Sequence, residues 1–245
     1  LLLMLPWKLV AGSDLPQRLA TGLFACAGLG GLSLLLAGIR RRHFPAATPL
    51  QLFLAVLLAG HVSWLPVVLQ RPAFWELPIV TAVALLWWCL YFLWRYHDGN
   101  RRTHWAVAAG CTLAFVVGAR PTYVFGAAFI ALLFALPLDR TRPLARGLRR
   151  LLPAAIPLAC GIGGLLAYND LRFGHLLEFG QRYQLWGIDE REVQHFNPAY
   201  FPFNAWLYLF SLPEVSAYFP FFRTVWPADL PAGGRVIFVS IHSPS

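Results

Sequence analysis

Charge is what this chain has least of. Only 13% of its 245 residues are charged, against 58% hydrophobic. Soluble domains carry about 25% charged residues, so the composition excludes a soluble domain and indicates a polytopic membrane protein. Lysine is reduced to Lys8 alone, with arginine making up the rest of the 20 basic residues, a bias that hints at a GC-rich bacterial genome. Paired His-Glu-His spacing, a Gly-x-Ser-x-Gly elbow and a phosphate-binding Gly-Lys loop are all missing, which removes the enzyme classes that those motifs announce. The cysteines, Cys26, Cys89, Cys111 and Cys160, fall inside apolar runs. They lack the paired spacing of a zinc or redox site and read as small packing residues. The sequence names no metal site and no cofactor.

What is present is a succession of apolar runs separated by arginine blocks. A transmembrane helix needs about 20 apolar residues to cross roughly 30 Å of hydrocarbon. Residues 19–39, 50–69 and 77–94 fit that length. The apolar stretch 105–138 is too long for one straight span, at about 51 Å for 1.5 Å per residue. Gly118-Ala119-Arg120-Pro121 breaks it: glycine loosens the helix, proline disfavours helical geometry in the residue before it, and arginine seeks a polar surface. The reading is therefore two short spans, 105–118 and 121–138, joined by a tight turn at 118–121, followed by a sixth span at 151–168.

Parity and charge agree with six spans. Arg40 to Arg42, Arg95, Arg101, Arg102, Arg140, Arg142, Arg146, Arg149 and Arg150, 11 of the 20 basic residues, then share one side, which the positive-inside rule makes cytoplasmic. The net charge of +9 is thereby explained by membrane orientation, and nucleic acid is not an expected partner. Gly22, Cys26 and Gly30, Ala27 and Gly31, and Cys160 and Gly164 recur every four residues, a spacing that lets helices approach closely in lipid. The two helices that carry them, the first and the sixth, are expected to be buried in the bundle.

The fold class expected is all-α: a transmembrane bundle over 1–168, then an aromatic-rich extracytoplasmic or interfacial segment over 169–245. That second part mixes charge with dense aromatics such as Phe201, Trp206, Phe210 and Tyr218, which favour the headgroup layer. A short surface helix is expected near Phe203 to Leu212. Val236 to Ile241 is open between a strand and the start of a further span. Leu1 to Val10 lacks the basic start and cleavage site of a signal peptide. The chain, starting at Leu1 and stopping at Ser245, reads as a fragment of a longer protein.

Candidate site residues are single polar groups placed where lipid makes them costly. Arg120, at the turn, has the planar fork that matches phosphate oxygens; the alternative is an interfacial anchor or a partner for a carboxylate. Glu76 opens the third span, where the helix dipole favours a carboxylate with or without a function. Arg172, Glu178 and Arg182, with Tyr183 beside them, form either a rim for an anionic headgroup or a solvated ion-pair cluster. His61 reads as a hydrogen-bonding residue within the bundle, Asn169 as a helix terminator, and Asp189 to Glu192 as a solvated helix start.

The residues Tyr168-Asn169-Asp170-Leu171-Arg172-Phe173-Gly174, with Glu178-Phe179-Gly180, Arg182-Tyr183, Gly118-Ala119-Arg120-Pro121 and Glu76-Leu77-Pro78, resemble the bacterial multi-pass GT-C glycosyltransferases. Those proteins are similar in architecture to protein O-mannosyltransferases and aminoarabinose transferases. The resemblance covers 70–245 best. It implies transfer of a sugar from a polyprenyl-phosphate-linked donor, with inversion, at the outer face of the bacterial inner membrane. Membrane lipid and that donor would be the partners. The family's catalytic aspartate lies in the first outer loop. Asp14 is the sole carboxylate before Glu76 here and lacks the family's paired acidic pattern, so no catalytic residue is carried over. The implied substrate pocket combines the Arg120 turn, the Glu76 helix start and the segment from Asn169 to Trp186. Two other classes remain open: a transporter or lipid flippase, which would place ionisable residues inside several spans, and a non-catalytic membrane scaffold.

Overall fold

The computed structural model of the chain describes residues 4–63, 65–70, 76–98, 102–126, 144–180, 183, 200–210, 214–215, 217–218 and 222–223. The chain divides into two compact units, Leu1–Tyr168 and Asn169–Ser245. Among the described residues the regular structure is helical apart from a two-residue antiparallel ladder between Glu214–Val215 and Phe222–Arg223. In the first unit α1 (Met4–Ala11), α2 (Gln17–His43), α3 (Pro49–Val62), α4 (Leu65–Gln70), α5 (Glu76–Asp98) and α6 (Thr103–Ala119) precede a single 3-10 turn, Pro121–Tyr123. The long helix α7 (Leu144–Phe173) begins in the first unit and ends in the second, which also holds α8 (Tyr200–Leu209).

Among the described residues three helices are long and apolar enough to cross a membrane: α2, α5 and α7 over Leu151–Phe173. Helices α3 and α6 are apolar but shorter, with 14 and 17 residues. At 1.5 Å per residue they cover about 21 and 26 Å of the roughly 30 Å of hydrocarbon. The run 50–69, expected as one span, is divided between α3 and α4. The Ser63 hydroxyl donates back to the Gly60 carbonyl at 2.7 Å, and Pro66 has no N–H with which to continue the ladder. Thr48 opens α3 with a reciprocal capping box to Gln51, which fixes its start. Beyond Gly126 the expected span 121–138 lies outside the described residues.

Close packing joins α2 to α5 and α5 to α6. Gly28 of α2 lies against Ala84, Gly31 against the Trp88 indole and Gly38 against Trp94. The Trp88 Nε1–H donates to the Ala27 carbonyl at 2.9 Å. Positions rise together along these pairs, so α2 and α5 run parallel. Across α5 and α6, Cys89 meets the Ala109 carbonyl and Phe92 stacks on Trp105, so α6 runs antiparallel to α5. The core fills this seam with Ala82, Cys89, Leu93, Ala109, Leu113 and Val116.

The small-residue stripe differs in part from the one expected: Gly31 packs as expected, against the Trp88 indole, whereas in Leu151–Phe173, expected to be buried in the bundle, no residue of the apolar window is buried. Gly22 and Gly30 have open space where a side chain would begin, as does Gly164, and Cys26 and Cys160 are exposed. The packed positions are Gly28 and Gly31 in α2, Gly110 in α6 and Gly161 in α7. The reason is rotational: many small residues in α2 satisfy a four-residue spacing, and the large rings of Trp88 and Trp94 select the face with room for them. Leu19, Leu23 and Leu34, on other faces of α2, are exposed, as suits residues in contact with lipid.

Helix α7 packs on α6 with Ala154 and Pro157 against Gly110, and Gly161 against Ala114. Positions again rise together, so α6 and α7 are parallel. The end of α6 and the start of α7 are therefore at opposite ends of the bundle. One end gathers the close of α2 and α5 and the start of α6. There Arg42 pairs with Asp98, His43 meets the edge of Trp94, and the Arg95 guanidinium lies 4.9 Å from the Trp105 ring centre.

Within the second unit α8 occupies Tyr200–Leu209, three residues earlier than expected. Pro202 falls in its first turn, where the missing N–H costs nothing. Val236 to Ile241 and Asp189 to Glu192 lie outside the described residues.

Candidate functional site

Glu76 is the first residue of α5, where its charge complements the positive end of the helix dipole. Its Oε2 is buried and has no hydrogen-bond partner, the single such side-chain atom among the described residues. A buried carboxylate oxygen left unpaired is costly, so this atom is the clearest unmet polar demand in the described part of the bundle.

Arg120 ends α6. Its backbone is extended, φ −148° and ψ 106°, because the following Pro121 disfavours the helical region. Its N–H donates to the Val116 carbonyl at 3.0 Å, and its own carbonyl accepts from the Tyr123 N–H at 3.0 Å. The side chain is half-buried and engaged in contacts. Tyr123 packs against the α5 and α6 core, which fixes the turn to the helix pair. The antiparallel register of α5 and α6 places the Glu76 turn at the same end as Arg120, away from the arginines that close α2 and α5. His61, exposed on α3, bonds through Nδ1 to the Leu57 carbonyl of its own helix at 2.9 Å.

The second unit opens with the last turn of α7. Asn169, expected to terminate the helix, stays inside it. It is 2% exposed, and its Nδ2 donates forward to the Leu176 carbonyl at 3.2 Å. The helix ends instead at Phe173, before Gly174 with φ +70°, the left-handed conformation that glycine supplies at helix ends. The Gly174 N–H reaches the Asp170 carbonyl at 2.8 Å. A second left-handed glycine, Gly180 with φ +85°, donates its N–H to Glu178 Oε1 at 2.8 Å. Tyr183 then stacks on Phe173, with centroids 5.2 Å apart and planes 18° from parallel. The Arg172 guanidinium lies 4.9 Å from the same ring.

Of the expected site residues, Arg172 and Tyr183 are thus brought together on Phe173, while Glu178 holds the turn at Gly180. Arg182 lies outside the described residues. Glu76 and Arg120 share an end of the first unit. Sequence reasoning missed the Asn169 bond and the central part of Phe173. The signal available for both was the pair Gly174 and Gly180, which mark two tight reversals around one aromatic ring. Among the described residues no group of three or more His, Cys, Asp or Glu side chains is placed to hold a metal ion. Comparison with protein-family models, curated proteins and solved structures found no match.

Proposed function

We propose that this chain is part of an integral membrane glycosyltransferase of the GT-C type, which takes a sugar from a polyprenyl-phosphate-linked donor at the outer face of a bacterial inner membrane. The observation that carries this reading is the shared end of Glu76 and Arg120: a carboxylate with a buried, unpartnered oxygen at the same end of the bundle as a half-buried arginine at a helix break. Arginine is suited to a phosphate-bearing donor because its fork donates two parallel hydrogen bonds to phosphate oxygens. A carboxylate at the same end is suited to a sugar hydroxyl, which can donate to it.

The orientation follows from charge. Arg40, Arg41, Arg42, Arg95 and Arg102 mark one end of the bundle, which the positive-inside rule assigns to the cytoplasm. The opposite end, with Glu76 and Arg120, is then the outer one. α6 ends at the opposite end of the bundle from the start of α7, and this supports the six-span arrangement. A transporter would need ionisable groups well inside several spans. Those of the described α2, α5 and α6 sit at or near the helix ends, and His61 is bonded within its own turn, which favours the enzyme reading. No residue of this chain is assigned the catalytic role.

The test is direct transfer of sugar from a synthetic polyprenyl-phosphate donor by the full-length protein, compared with Arg120→Ala. Weaker donor binding together with lost transfer is expected. Lost transfer with unchanged donor affinity would remove Arg120 from phosphate recognition, and no transfer by the intact protein from any such donor would remove the activity.

A further inference from the structure

Between α5, α6 and α7 lies a recess of about 330 Å³. Its wall includes Leu93 from α5, Ala109, Gly110 and Leu113 from α6, and Leu151 and Ala155 from α7. Gly110 brings α7 close at one level, while the small side chains of Ala109 and Ala155 leave the adjoining space unfilled. In a bilayer, space of this size against an apolar wall is filled by apolar matter, since empty volume forfeits dispersion contacts.

The arginines around it indicate which matter. Leu93 precedes the exposed Arg95 by two residues, about 3 Å of helix rise. Leu151 directly follows Arg149 and Arg150 in the chain. The exposed Arg102 caps α6, which runs parallel to α7, so its start lies at the same end. Asp98, the carboxylate of this region of α5, is paired with Arg42. The recess therefore lies at the strongly basic end, where apolar wall and positive charge meet.

We infer that the α5–α6–α7 recess holds an acyl chain of an anionic phospholipid of the leaflet at the basic end, with its phosphate headgroup near Arg95 and Arg102. Basic pockets between transmembrane helices on the cytoplasmic side bind lipid headgroups of this kind. The site is at the opposite end from Glu76 and Arg120 and does not depend on the glycosyltransferase reading.

The experiment uses the full-length protein in a neutral detergent, with lipid binding followed by native mass spectrometry and by thermal shift. Phosphatidylglycerol should bind saturably and raise the melting temperature. Phosphatidylcholine should bind at least about tenfold more weakly, and glycerophosphoglycerol, the headgroup without chains, should give no shift. Each arginine near the surface should count for about fivefold in affinity, about 1 kcal/mol, so Arg95→Gln combined with Arg102→Gln should weaken phosphatidylglycerol binding about 25-fold and leave phosphatidylcholine unchanged. Ala155→Phe, which fills the recess, should abolish the shift while the lipid-free melting temperature is retained. Equal binding of phosphatidylcholine, full binding by Ala155→Phe, or tighter binding of polyprenyl phosphate than of phosphatidylglycerol would each overturn the assignment. Should Ala155→Phe fail to fold, the double arginine variant decides: unchanged phosphatidylglycerol affinity there refutes the inference.

Discussion

Gly28 and Gly30 lie two residues apart in the middle of α2 and invite the same substitution with opposite outcomes. An alanine Cβ at Gly28 would stand 2.9 Å from the Ala84 Cα and 3.0 Å from the Ala84 Cβ, whereas one at Gly30 would meet nothing within 4 Å. The obstruction at Gly28 is backbone, so it cannot be relieved by turning a side chain. Both substitutions gain about 1 kcal/mol of helix propensity, and that gain cancels in the comparison. What remains is the overpacking of the α2–α5 seam, about 1–3 kcal/mol. For a chain of this length that corresponds to a gap of about 2–12 °C in melting temperature, at roughly 2–4 °C per kcal/mol. The assay needs a probe of helix separation, because the helices themselves persist in detergent. Cys89 provides one: it is fully buried in the core, whereas Cys26, Cys111 and Cys160 are exposed. With those three changed to alanine, the temperature at which a thiol-reactive dye reaches Cys89 reports opening of the bundle. Gly28→Ala should open at the lower temperature and Gly30→Ala at or above the parent value. Equal temperatures, or the reverse order, would refute the packing face assigned to α2.

Two further outcomes test the ends of the helices. Asn169→Ala removes a buried donor from the Leu176 carbonyl and should cost about 1 kcal/mol, seen as roughly fivefold faster hydrogen exchange at the Gly174 and Gly180 amides; unchanged exchange would mean that the turn holds itself. Single cysteines at His97 and Thr122, both exposed, should be labelled by a membrane-impermeant maleimide from opposite sides of the bilayer, and labelling of both from one side would contradict the antiparallel arrangement of α5 and α6.

The membrane character was legible in composition because burial in lipid imposes it on most of the residues at once. The end of α6 was legible for a local reason: Pro121 restricts Arg120, and the helix stops at Ala119 as Gly118-Ala119-Arg120-Pro121 suggested. The division of 50–69 was equally local, in Ser63 and Pro66, yet the apolar run conceals it because hydropathy is blind to backbone hydrogen bonding. The packing face of α2 was not legible. Gly22, Gly28, Gly30, Gly31 and Gly38 are all glycines within one helix, and only the positions of Trp88, Trp94 and Ala84 on another helix decide which of them are covered. Asn169 misled for a related reason. Its side chain is of a type that ends helices, but a carbonyl seven residues onward, at Leu176, gives it a partner while the helix continues.

The two ends of the bundle differ in kind, and the difference bears on mechanism. At the basic end, exposed side chains meet: the Arg42 and Asp98 side chains are 57% and 35% exposed, and Arg95 rests on Trp105. Such contacts are worth little energetically in water, and on the proposed reading their effect is to orient the chain and attract anionic lipid. The other end, which also has the exposed Arg18 at the start of α2, holds a buried unpartnered oxygen at Glu76 and a half-buried guanidinium at Arg120. Electrostatic interactions strengthen as water is excluded, so a phosphate or a hydroxyl arriving there would be held more firmly than one arriving among the more numerous arginines. On the proposed reading, the cluster of arginines selects the end that anchors the protein, and the desolvation of Glu76 and Arg120 selects the end that recognises a ligand.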